Sequence, residues 1–176
     1  MRLIREVVGH ELRWTQPHAL KMEYELQNGD ELVATLRFRS SLGSLATADS
    51  GDGCWTFKRA GFWQTRATVR RCDAAQDLAV FRNNTWMNGG TLELPDGRRY
   101  PANTNFWTTT YEFQTEGGES LVKYHRIAGL LHLSSTVDIR PAAASLGELP
   151  WLVMLGWYLT VMLYMDSSGA VVAGGA

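Results

Sequence analysis

Between Cys54 and Cys72 the chain carries five basic residues, Lys58, Arg59, Arg66, Arg70 and Arg71, and no acidic one. Arg37 and Arg39 add two guanidiniums, two positions apart. Cations at alternate positions of a strand share a face, and such a face attracts phosphate, whether free or on anionic lipid headgroups. The plainer account of the same seven residues is a charged exterior balanced by acidic neighbours. They form the candidate ligand-binding set.

Other reactive side chains form no constellation. His10, His18, His125 and His132 show neither HxxxH nor HExxH spacing. A hairpin turning at Ala128-Gly129 would bring His125 and His132 together, although structural or surface roles are the simpler reading. Ser134-Ser135-Thr136 has no elbow motif around a nucleophile. Asp49-Ser50-Gly51-Asp52-Gly53 lacks the later bidentate Glu of a calcium loop and reads as a solvated turn. No GxGxxG or Walker pattern is present, nor paired carboxylates in a defensible pocket. The expectation is a non-enzymatic protein with no catalytic residue, metal or cofactor. Two tracts mix amides with aromatics, Asn83–Gly90 and Asn103–Trp107. They read as rim loops with Trp plugging a barrel end; the alternative is exposed Trp that binds sugars or partners.

The chain has 176 residues, 45% of them hydrophobic, with seven Trp, six Tyr and six Phe, enough for one sizeable core over residues 1–176. A net charge of −1 argues against nucleic acid as a partner, though not against a local basic patch. Met1-Arg2-Leu3-Ile4-Arg5-Glu6 has no apolar run of signal-peptide length, so the expected location is cytoplasmic, with peripheral membrane attachment open. In that compartment Cys54 and Cys72 are expected as buried reduced thiols, a cross-strand disulfide being the alternative.

Period-two alternation dominates the body. Met22, Tyr24 and Leu26 point one way, and Lys21, Glu23, Glu25 and Gln27 the other. After Asn28-Gly29-Asp30, Leu32, Ala34, Leu36 and Phe38 share a face. A three-residue loop centred on Gly29 with a bulge pairs Leu26 with Leu32, Tyr24 with Ala34 and Met22 with Leu36. Pro95-Asp96-Gly97 as a loop pairs Leu92 with Tyr100 and Glu93 with Arg99. Gly117-Gly118 as a turn pairs Phe113 with Val122, Tyr111 with Tyr124 and Glu112 with Lys123. Each register sorts apolar from polar, as an antiparallel sheet with one wet face requires. Further strands are expected near Leu3–Val8, Leu45–Ala48, Trp55–Lys58, Gln64–Arg71, Leu78–Asn83 and Leu130–Val137. Together they make about a dozen strands over about 3–138.

Leu149 to Met165 contains no charged residue. Ser145, Gly147 and Glu148 suit a helix start, Pro150 fits only the first turn, and Asp166-Ser167-Ser168-Gly169 reads as a stop. The expected helix covers about 147–165, with a short flexible tail over 167–176. Being apolar all round, it lies in lipid or inside protein. Its seventeen residues span ~26 Å, short for a bilayer but close to the ~23 Å of a seven-residue strand. The weight falls on a helix threaded through the sheet. The expected fold is an all-β antiparallel barrel of about twelve strands wrapped around a C-terminal hydrophobic helix.

This order of elements resembles the superfamily of tubby C-terminal domains, phospholipid scramblases and LURP-one-related proteins, the last most of all. Its carriers are the Gly117-Gly118-Glu119-Ser120-Leu121 hairpin, the late strand Leu130–Val137, and the helix Pro150–Met165 followed by Asp166. The resemblance implies the barrel and, more loosely, association with membranes or phosphoinositides. In tubby-type domains a basic pair at i, i+2 on a strand contacts phosphoinositide headgroups, and Arg37/Arg39 has that spacing. The chain departs from scramblases in lacking a cysteine-rich stretch, a proline-rich tail and an acidic calcium segment, so scrambling and calcium control are not carried over. The expected function is an intracellular module that binds anionic phospholipid, a membrane surface or a protein partner through its outer basic strands. The alternatives are a protein anchored by its helix and a carrier of a small apolar ligand.

Overall fold

The structure is a computed structural model. It describes all residues except 62–64, 85–88, 130–131 and 174–176, together with the side chains of residue 126 and residues 169–173. Twelve strands follow in chain order: β1 (Leu12–Thr15), β2 (Glu23–Asn28), β3 (Glu31–Phe38), β4 (Ala46–Ser50), β5 (Gly53–Ala60), β6 (Arg66–Arg71), β7 (Asp77–Asn83), β8 (Gly90–Glu93), β9 (Arg99–Thr104), β10 (Thr110–Gln114), β11 (Ser120–Ala128) and β12 (Ser134–Ile139). Each pairs antiparallel with the next, and β1 closes on β12 through Leu12↔Val137 and Trp14↔Ser135. Closure leaves no unpaired edge. One helix, α1 (Leu149–Ala173), runs through the centre.

Alternation builds the wall, because every second side chain points at the helix. Leu26, Leu36, Phe57, Val69, Phe81, Leu92, Phe113 and Tyr124 are fully buried. Every residue of α1 from Leu149 to Met162 is buried as well. Trp157 stacks on Trp14 with centroids 5.7 Å apart and meets Tyr24 edge-on; Tyr158 stacks on Phe38 at 5.5 Å. The helix is long and apolar enough over Leu149–Ser168 to cross a membrane, yet 78% of its apolar stretch is buried inside the protein, so the reading as a helix anchor loses its segment.

Because neighbouring strands alternate in direction, the barrel has two distinct ends. The chain enters α1 at one, here the entry end, where Glu148 is buried. There Arg98 Nη1 donates to Glu148 Oε1 at 2.5 Å, and the Tyr100 hydroxyl donates to the same oxygen. Burial, then the bond to Glu148, pushes the Tyr100 phenol up to about 12. The helix leaves at the exit end, where Arg59 grips Asp166 through Nη1 and Nη2 at 2.5 and 2.9 Å. Odd-numbered strands run from entry to exit.

The registers predicted for the Pro95–Gly97 and Gly117-Gly118 hairpins are those observed: Leu92↔Tyr100, Glu93↔Arg99, Tyr111↔Tyr124, Glu112↔Lys123 and Phe113↔Val122. The first hairpin differs. Leu26 faces Ala34 and Tyr24 faces Leu36, two residues from the expected register. The turn is the two-residue Gly29-Asp30, with Gly29 at φ 60, and the bulge lies within the strands, where the register shifts between Leu26 and Gln27.

Four further expectations are corrected. Leu3–Val8 is not a strand: Ile4–Val7 is a 3-10 turn whose Ile4 and Val7, three apart, both face the core. The first strand is instead Leu12–Thr15. The late strand is Ser134–Ile139 rather than Leu130–Val137, whose first two residues lie outside those described. The helix begins at Leu149 and passes through Asp166-Ser167-Ser168-Gly169 to Ala173, so most of the expected tail is helical. Finally, Cys54 and Cys72 are joined in a disulfide, not reduced. They lie where β5 and β6 end together, Cys72 N donating to Cys54 O at 3.1 Å, with Cα atoms 5.5 Å apart, a bridging distance.

Candidate functional site

Strand registers decide which basic residues meet. Arg37 on β3 lies beside Thr47 of β4, which faces Thr56 of β5, which faces Arg70 of β6. One row nearer the exit end, Arg39 N bonds to Leu45 O, while Lys58 faces Thr68, which faces Val80 of β7. In the next row Ala60 faces Arg66, which faces Arg82. Strands are ~4.8 Å apart, so Arg37 and Arg39 share the outer face of Lys58, Arg66, Arg70 and Arg82 at a remove of two to four strands. Lys58, Arg66, Arg70 and Arg82 line a groove of about 350 Å³ in which Asp77 is the one acidic side chain.

Neutralisation is uneven. Arg70 Nε pairs with Asp77 Oδ1 at 2.5 Å and Arg82 Nε with Glu93 Oε2 at 2.9 Å. Among the described residues, Lys58, Arg66, Arg37 and Arg39 make no ion pair. Arg66 stands directly opposite Arg82, and like charges at such positions destabilise a sheet unless an anion comes between them.

Five of the seven predicted residues therefore share one outer face: Arg37, Arg39, Lys58, Arg66 and Arg70. Two do not. Arg59 turns toward the helix and is held by Asp166; Arg71 lies at the entry end and pairs with Asp73 at 3.4 Å. Arg82 belongs to the groove and was missed because it follows Cys72, outside the acid-free stretch. Only the β6–β7 register brings it opposite Arg66.

Other candidates disperse. His132 Nδ1 contacts Gln16 O at 2.8 Å, whereas His125 lies on the wall between Thr110 and Thr136. Burial, then Lys123, holds the His125 imidazole below its usual range. Asp52 Oδ2 accepts from Ile4 N at 2.8 Å and so docks the N-terminal turn. Among the described residues no group of His, Cys, Asp or Glu has a metal-binding arrangement. The Asn83–Gly90 tract falls partly on residues 85–88, outside those described. In the other tract Trp107 does not plug the barrel: it is 76% exposed beside Phe106 at 90%. The helix fills the interior, and clefts of about 250, 180 and 400 Å³ lie around its exit, the last lined by Leu42, Arg59, Met162 and Asp166.

No protein-family model matches the chain, and no curated protein matches it. Among solved structures, the crystal structure of an Arabidopsis thaliana protein is similar, with a TM-score of 0.52 and 10% identity over 92% of this chain and 93% of that one. At that identity the likeness shows the fold: a closed antiparallel barrel around a single helix.

Proposed function

We propose that this chain is a non-enzymatic module that binds anionic phospholipid at a membrane surface through the outer face of β5, β6 and β7. The observation that carries this reading is the groove of Lys58, Arg66, Arg70 and Arg82, in which two cations pair with no carboxylate among the described residues and two arginines stand opposite each other. Such a face gains more from a phosphate than from water, and the gain weakens with salt. Arg37 and Arg39 add to the same outer face the i, i+2 spacing that resembles phosphoinositide-binding tubby domains. The module is a peripheral one, held by headgroups rather than by its helix.

Flotation with vesicles tests it. Binding is expected to phosphatidylserine-containing vesicles and not to pure phosphatidylcholine, and to weaken as salt rises. Lys58→Glu with Arg66→Glu should remove the salt-sensitive part of that binding with little change in Tm, since both side chains are exposed and, among the described residues, make no ion pair. Failure of the native protein to float with any vesicle would reject the lipid and leave the same patch to an acidic protein partner.

A further inference from the structure

The two barrel ends differ in kind. The connections at the entry end are 29–30, 51–52, 72–76, 94–98, 115–119 and 140–148; each contains an acidic residue, namely Asp30, Asp52, Asp73, Asp96, Glu116 with Glu119, and Glu148. The connections at the exit end are 16–22, 39–45, 61–65, 84–89, 105–109 and 129–133; none contains Asp or Glu. Asp52 and Glu148 serve the fold, holding the Ile4 amide and Arg98, but Asp30, Glu116 and Glu119 stand in turns whose exit-end counterparts carry no carboxylate in the sequence.

Apolar exposure is segregated too. Leu20 is 98%, Leu42 97%, Phe106 90% and Trp107 76% exposed, and all four stand in exit-end connections. Of the other large apolar side chains exposed among the described residues, Tyr164 is on the exiting helix, while Met1 and Leu3 lie at the entry end beside Asp52. The four exit-end apolar tips stand on three separate connections. Around them stand the exit-side cations Arg39, Lys58, Arg66 and Arg82, and the helix continues past Asp166 in the same direction for about 10 Å.

We infer that the exit end is a membrane-docking face: Leu20, Leu42, Phe106 and Trp107 enter the interface of a bilayer containing anionic phospholipid, while the surrounding cations meet its headgroups. Apolar side chains at an interface add binding in proportion to the area they bury, and aromatic ones favour that depth. The barrel then stands end-on to the bilayer, its acidic end away from the negative surface. This inference rests on the lipid reading above, but it assigns an orientation and a hydrophobic contribution that the basic groove alone does not require.

The disulfide leaves a single introduced cysteine as the one free thiol, which permits specific labelling. A bimane label is placed on Leu42→Cys, on Leu20→Cys or, at the entry end, on Glu116→Cys. Each protein is mixed with phosphatidylserine–phosphatidylcholine vesicles carrying brominated acyl chains. Quenching at positions 42 and 20 and none at 116 is expected. The unlabelled variant Leu20→Ser, Leu42→Ser, Phe106→Ser should lose at least about tenfold in vesicle partitioning at every salt concentration. The Lys58→Glu, Arg66→Glu variant should instead change the salt dependence. Vesicle binding without quenching at 42 or 20 would overturn the docking face and leave the basic groove as the lipid site. No vesicle binding at all would overturn both; dimerisation abolished by the serine variant would then assign the face to a second copy.

Discussion

Gly156 shows how one residue sets the distance between helix and wall. A Cβ there would lie 2.7 Å from Cζ of Tyr124, whose hydroxyl donates to the carbonyl of Val153. Helix propensity alone favours alanine by about 1 kcal/mol. Overpacking costs about 1–3 kcal/mol, and displacing the tyrosine also breaks a buried hydrogen bond. The clash should therefore win, and Gly156→Ala should lower Tm in thermal denaturation; an unchanged or raised Tm would mean Tyr124 moves aside freely. In the sequence Gly156 is one glycine within an apolar run, and nothing there points to Tyr124 as its partner. Glu148 is similar: it reads as a favourable charge at a helix start, whereas its bonds to Arg98 and Tyr100, fifty and forty-eight positions away, appear only once the barrel closes.

At the scale of the element, what was legible depended on local constraint. The Pro95–Gly97 and Gly117-Gly118 registers could be read because alternating strands flank a tight turn on both sides. At the first hairpin the buried face was right and the register was not. Beyond the bulge the shift was two residues, and an even shift keeps Tyr24, Leu26, Ala34 and Leu36 on their face, so their burial could not reveal it; next to the turn Leu32 faces Gln27 and Val33 is buried instead. Asp166 misled as a stop because its partner, Arg59, is remote in sequence. The disulfide was equally hidden, since only the pairing of β5 with β6 sets the two sulfurs side by side. Closing that loop is worth on the order of 3 kcal/mol by restricting the unfolded chain. Reduction, or Cys72→Ser, should therefore lower the urea midpoint. Flotation with anionic vesicles should persist, because Lys58 and Arg66 lie toward the opposite end of the same strands. A thiol assay that finds two free sulfhydryls in the native protein would reject the bond.

The whole molecule has an alkaline limit built into its core. Tyr24, Tyr100, Tyr111, Tyr124 and Tyr158 are all shifted upward, burial being the largest cause for each. The unfolded chain ionises its phenols near pH 10. A raised folded value means that this stability is complete below about pH 10 and is lost as pH climbs through the folded values, which for Tyr100 is about 12. Urea midpoints should be level up to about pH 9 and fall steeply from pH 10. Phenolate absorbance should lag behind that of free tyrosine until the protein unfolds; phenols that all titrate near pH 10 in the folded state would contradict this packing.

The central helix also has a consequence for how the protein is made. It follows all twelve strands in the chain, yet it is the surface on which their inner faces close. Until it leaves the ribosome, β1 has β12 to wait for and the wall has nothing to wrap. At about 5–20 residues per second, translation of 176 residues takes roughly 9–35 s. For most of that time the nascent sheet exposes the aromatic side chains later covered by Trp157 and Tyr158, along with unpaired strand edges. Such a chain invites chaperone capture, and a premature stop before Leu149 would yield a product destined for proteolysis rather than a smaller barrel.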